Sequence, residues 1–154
     1  MWILREKVEF SKLEKQLDKY APEVPRFHIA YRPEKLINAS QDEKPINELE
    51  GKSVAAFCGV GNAPAFRKTL EQCGCQVVDF RAFADHHPYS SDDIKSLQGW
   101  LQHLHEIDAV ICTHKDLVKI PVDQLNEIPL WALTVQPEMT SGQAALEERL
   151  QKLM

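Results

Sequence analysis

The sequence predicts an α/β fold: a three-layer, Rossmann-like domain with a mostly parallel sheet, preceded by a helix and an extended linker segment. Three observations carry that prediction. From Gly51 onward, short apolar runs alternate with helical periods, which is the pattern of a β-α-β series. The runs 53–58, 76–80, 107–112 and 130–135 are continuous enough to be strands covered on both faces. The intervening segments carry helix start and stop signals in the expected order.

Taken in chain order, Phe10, Leu13, Leu17 and Tyr20 recur at helical spacing among charged residues and predict an amphipathic helix over about residues 9–20, ended by Pro22 and Pro25. Residues 26–31 alternate as a strand does, with His28 a strand residue. The stretch 32–50 is polar, holds Pro33 and Pro45, lacks a sustained period and reads as a linker. After the first apolar run, Asn62 suits a helix cap, Pro64 the first turn, Phe66, Leu70 and Cys73 the buried stripe, and Gly74 the left-handed residue past the end. Ile94, Leu97, Leu101 and Leu104 mark the next helix, capped near Ser90 or Ser91, with Asp92 and Asp93 favouring its positive end. Leu146, Leu150 and Leu153 mark a terminal helix. The domain division that follows is 1–50 and 51–154.

Composition excludes several classes. The 154 residues, 44% of them hydrophobic, suffice for one ordinary domain with its own core, so neither disorder nor a disulfide scaffold is needed. With 18 Lys and Arg against 23 Asp and Glu, a net charge of -5 and no basic block, the chain lacks the clustered cations of a nucleic-acid partner. No signal-peptide run or long apolar span occurs, and the expectation is a cytoplasmic chain. Of the four cysteines, Cys58 and Cys112 read as buried strand residues and Cys73 and Cys75 as flanking a turn; a lone Cys-Gly-Cys is no zinc framework.

Ligands of open parallel sheets bind beyond the carboxyl ends of the strands, where helix N-termini present free N–H groups. Three chemically loaded loops fall there: 59–64, 83–89 and 113–119. Gly59 and Gly61 either let backbone approach a phosphate or form a tight structural turn. Asp85, His86 and His87 combine a carboxylate with two imidazoles, able to orient a ring, bind a metal or relay a proton, or else simply to cap a turn before Pro88 with Tyr89 packing inward. Thr113, Lys115 and Asp116 place a hydroxyl, a cation and a carboxylate within four residues, suited to a phosphorylated or polar group, or to solvated loop charges. His103 and His105 lie two apart on the predicted second helix and cannot share a face. Neither a P-loop nor a recognised Ser or Cys nucleophile occurs.

The three segments Ala56-Phe57-Cys58-Gly59-Val60-Gly61-Asn62 with Phe66, Phe83-Ala84-Asp85-His86-His87-Pro88-Tyr89, and Thr113-His114-Lys115-Asp116 with Val118-Lys119 closely resemble, in order and spacing, the C-terminal half of the tetraacyldisaccharide 4'-kinase (lipid A 4'-kinase) family. Pro64 stands one place later than that family's usual proline, and His114 where it commonly has glutamate. Ile3-Leu4-Arg5 and the following helix look like the last strand-helix unit before the family's linker. The resemblance implies two α/β domains, the absent N-terminal one carrying a P-loop, ATP and Mg²⁺, the present one closing over the site. It implies transfer of the ATP γ-phosphate to the 4'-hydroxyl of the lipid A disaccharide precursor, at the cytoplasmic face of the inner membrane, with membrane contact only through the missing half.

By the same resemblance, His86 more than His87 supports the catalytic carboxylate of the absent half and Asp85 orients the ring. Asn62, Thr113, Lys115, Asp116 and Tyr89 then shape the substrate or interdomain cleft, and Gly59 and Gly61 form the phosphate-approach loop. This chain alone is expected to bind neither ATP nor a metal and to be inactive. Two rivals stand beside that reading: a metal-dependent phosphoesterase of the Asp-His-His type, although its other carboxylate motifs are missing, and a non-catalytic Rossmann-like binding module.

Overall fold

The computed structural model describes residues 6–152, with side chains from Ser11 onward, so the roles expected of Ile3, Leu4, Arg5, the Phe10 side chain and Leu153 lie outside the described residues. Contacts group the chain into two compact units, one of residues up to Ala30 with those from Glu138, the other Tyr31–Pro137. In the first, α1 (Glu6–Tyr20) begins three residues before the expected start at residue 9 and ends two residues before Pro22. Arg26 donates to Asp18 on its last turn at 2.6 Å. The terminal helix α5 (Gln143–Gln151) starts after Gly142 at φ +80°, where a Cβ would run into the Arg26 carbonyl oxygen; only glycine fits there.

The second unit is organised by strand β3 (Ser53–Cys58). Its parallel neighbours are β4 (Gln76–Ala82) and β5 (Ala109–Thr113), with Ala56 opposite Phe80 on one side and Ile111 on the other. Parallel to β5 runs β7 (Ile128–Ser141), and the sheet order is β2-β1-β7-β5-β3-β4, with β1 His28–Ile37 and β2 Glu43–Pro45. Helix α2 (Ala63–Gln72) and helix α3 (Ser91–Leu101) are the crossovers. Because side chains alternate across a strand, Ala55, Phe57, Val110 and Cys112 enter one core with Leu97, Trp100 and Leu101 of α3, while Val54, Ala56 and Ile111 enter another with Leu70 of α2. Both faces of β3 are covered, which is why it is apolar from Val54 to Cys58. The three-layer α/β architecture is therefore as the sequence predicts.

Local signals act as expected. Asn62 caps α2 by accepting from the Ala65 N–H, and Ser90 caps α3 in a reciprocal capping box with Asp93. Gly74 takes φ +87°.

Several details differ from the sequence pattern. The stretch 32–50 contains ordered sheet: β1 continues to Ile37, pairs antiparallel with β2, and buries Leu36 and Ile37, while Leu49 is buried from the 3₁₀ turn after β2. The two adjacent apolar residues are too few to show a period, and sheet pairing supplies the order. Strand β5 begins two residues later than its apolar run, and β7 extends well past Val135. Helix α3 ends at Leu101, because His103 and Leu104 bond back three residues instead of four; His103 and His105 therefore lie beyond the helix rather than on it. A four-residue helix, α4 (His114–Leu117), and a short strand, β6 (Gln124–Leu125), carry no period long enough to read.

Candidate active site

Since β3, β4 and β5 are parallel, their carboxyl ends open on one edge, and the loops that follow them meet there. The contacts are specific. The Gly59 N–H donates to both Asp116 oxygens, at 3.1 and 3.2 Å, joining the first loop to the third. The His86 N–H donates to the Gly59 carbonyl at 3.1 Å, and the Phe83 N–H to the Cys58 carbonyl at 2.8 Å, joining the second loop to the first. A Cβ on Gly59 would meet Ala84 O, Asp116 Oδ1 and His87 Cβ, each at 3.2 Å, so the absence of a side chain lets three segments pack around one backbone. Gly61 is exposed beside the Asp85 carboxylate, 3.3 Å from where its Cβ would stand.

Asp116 is fully buried. Besides the Gly59 N–H, it accepts from the Thr113 hydroxyl at 2.6 Å, and Thr113 in turn caps α4 by accepting from the Asp116 N–H. Its carboxylate thus shapes the rim from behind and is not presented to solvent. The Tyr89 side chain is buried too; burial and then the nearby Asp116 charge push its phenol well above its ordinary value. Burial likewise raises the Cys58 thiol to about 11 and that of Cys112 well above its usual range, so neither supplies a thiolate nucleophile.

The Asp-His-His triplet divides in two. His86 sits at φ +61°, with a side chain 79% exposed and its Nε2 3.9 Å from Asp85 Oδ2. Asp85, 54% exposed, also accepts from the His86 N–H at 3.0 Å. His87 faces inward: its ring lies 4.7 Å from that of Phe83 and edge-on to Tyr89 at 4.9 Å. Its Nε2 is 3.1 Å from Asp93 Oδ2 on the first turn of α3, a close polar contact without hydrogen-bond alignment. The three side chains therefore do not converge as one donor set, and among the described residues no group of His, Cys, Asp and Glu gathers to hold a metal ion. Among the described residues, therefore, neither the metal-phosphoesterase alternative nor Mg²⁺ finds a fitting ligand set.

Asn62 is exposed at the start of α2, and Lys115 is exposed on α4. Lys115, Thr113, Val60, Phe66 and Leu133 line a groove of about 640 Å³ on the α2 side of the same edge. Two contacts of the site escape sequence reading. Lys119 donates to the His87 carbonyl at 2.8 Å and lies 5.9 Å from the Tyr89 ring centre, and Asp93 holds His87 as well as capping α3. Asp93 was visible as a helix-start acid; nothing in the spacing pairs it with His87.

No described helix is long and apolar enough to cross a membrane. The sequence model of the family described as Tetraacyldisaccharide-1-P 4'-kinase matches residues 3–154. Among curated proteins, the tetraacyldisaccharide 4'-kinase of Desulfotalea psychrophila is 35% identical over 133 residues, covering 83% of this chain and 36% of its own length. That of Halothermothrix orenii is 39% identical over 85 residues, 55% of this chain and 22% of its own. The chain thus spans about a third or less of these relatives. Among solved structures, LpxK from Aquifex aeolicus, crystallised in complex with ATP, superposes with a TM-score of 0.56 at 24% identity, over 88% of this chain and 40% of that one, a likeness of fold.

Proposed function

Because this chain belongs to the tetraacyldisaccharide-1-P 4'-kinase family, we propose that it is the C-terminal α/β portion of a kinase that transfers the γ-phosphate of ATP to the 4'-hydroxyl of a lipid A disaccharide precursor. In this reading residues 1–50 carry the end of the preceding strand-helix unit and the link between halves, and 51–154 form the C-terminal domain. The P-loop, ATP and Mg²⁺ reside in the longer protein's N-terminal half. That half also makes the membrane contact, at the cytoplasmic face of the inner membrane.

The observation that supports the reading is the Asp85-His86 turn. It stands in solvent at the carboxyl edge of the sheet, its backbone bonded to the Gly59 loop. An imidazole so placed can support a carboxylate that removes the proton from the attacking sugar hydroxyl, with Asp85 biasing its orientation. His87 anchors the turn by packing on Phe83 and Tyr89. Lys115, Thr113 and Asn62 border the open side, where a charged substrate or the other half would approach.

The test supplies the chain with and without the N-terminal half of a relative and follows phosphorylation of the lipid disaccharide by ATP. The chain alone is expected to be inactive and the pair active, with His86→Ala lowering kcat at least about tenfold while KM changes little. Steady turnover by the chain alone, or full turnover by the variant, would overturn the proposal.

A further inference from the structure

Two non-glycine residues of the second loop, His86 at φ +61° and Tyr89 at φ +56°, occupy the left-handed region within four positions of each other. Bulky side chains adopt that conformation at a cost, and it persists only where the surroundings over-determine it. Within the loop the His87 N–H donates to the Ala84 carbonyl at 3.1 Å, closing the turn across Asp85 and His86, while the Asp85 carboxylate bonds only its neighbour's N–H and the His86 ring is in solvent. A further restraint comes from the third loop.

We propose that Lys119 is a positioning residue that locks the Asp85-His86 turn in its left-handed form. Its Nζ donates to the His87 carbonyl at 2.8 Å, at the point where the chain returns from the turn. The same ammonium lies 5.9 Å from the Tyr89 ring centre, over the second left-handed residue. Lys119 is itself fixed, because its N–H bonds to the Asp116 carbonyl at 3.0 Å and Asp116 is buried against the Gly59 N–H. The Gly59 carbonyl then accepts from His86. A closed circuit runs from Lys119 through Asp116, Gly59 and His86 to His87 and back, so the turn is gripped on both sides. Burial supports the grip, since Asp116 and Gly59 are both sealed from solvent that would compete for these bonds.

What the locked turn does for phosphoryl transfer rests on the reading of His86 above; the lock itself does not. The experiment therefore measures amide hydrogen exchange and His86 ring resonances by NMR on the 154-residue chain, with no activity assay. Lys119→Met keeps the aliphatic stem and removes the donors. The expected result is at least about tenfold faster exchange at the His86 and His87 amides and a shifted His86 ring signal, with the β5 and α3 amides unchanged. Lys119→Arg, which retains charged donors, should restore protection to within about threefold. Unchanged exchange in Lys119→Met overturns the proposal. So does equal acceleration throughout β3, β5 and α3, which marks a general stability effect, and so does equal loss in both variants, which removes the donor from the explanation.

Discussion

Gly59→Ala tests the convergence of the three loops directly. The added Cβ would stand 3.2 Å from Ala84 O, Asp116 Oδ1 and His87 Cβ, each a few tenths of an ångström inside ordinary contact. Relief by moving Asp116 is unavailable without loss, because that same oxygen accepts the Gly59 N–H at 3.1 Å and the carboxylate is held by Thr113. Crowding of this kind costs about 1–3 kcal/mol. Against it stands the reduced freedom of the unfolded chain, which favours alanine by about 0.4–1 kcal/mol wherever φ permits. The expected net loss is about 1–2 kcal/mol. Gly99 is the control: it lies within α3, and a Cβ there meets nothing within 4 Å, so Gly99→Ala should gain about 1 kcal/mol from helix propensity. Urea unfolding followed by circular dichroism gives both values on one scale. If Gly59→Ala equals or exceeds the parent in stability while Gly99→Ala gains, the loops do not pack around Gly59 as described.

Three further outcomes follow from particular contacts. His86→Ala should leave the unfolding midpoint unchanged, since its ring is in solvent, whereas His87→Ala should cost about 1–3 kcal/mol through lost packing on Phe83 and Tyr89; equal effects in urea melts would contradict the division of the two histidines. Ser90→Ala removes the cap of α3 and should cost about 1 kcal/mol, read by thermal unfolding, with an unchanged midpoint counting against the capping box. The Asp79 carboxyl is held below its ordinary value first by the Trp100 indole N–H, at 2.7 Å, and then by the Phe80 N–H. A depressed carboxyl contributes stability above its unfolded value and loses it as pH falls toward the folded one, so Trp100→Phe should flatten the stability decline below about pH 4, and parallel declines would refute the link.

By itself the sequence determined the layering and the order of the chemistry. The strand core 54–58 had to be apolar at every position because both its faces meet helices, and that pattern is local enough to read. The caps at Asn62 and Ser90 and the turn at Gly74 were legible for the same reason: each acts within three or four residues. That three polar loops share an edge also followed, once the strands were taken as parallel. What tertiary structure decided was the role of each side chain within those loops. His86 and His87 are neighbours of one type, yet one points to solvent and the other packs on Phe83 and Tyr89, because a left-handed turn at His86 reverses the chain between them. Asp116 reads as a loop carboxylate, for a polar ligand or for solvent, until the fold brings the Gly59 N–H, 57 positions earlier, onto its oxygens. Likewise, the 32–50 stretch gains part of its order from β1 lying beside β7, where the Lys35 N–H bonds to the Thr134 hydroxyl 99 positions later. Composition and spacing act over a few residues; hydrogen bonds and burial are satisfied only between segments that folding brings together.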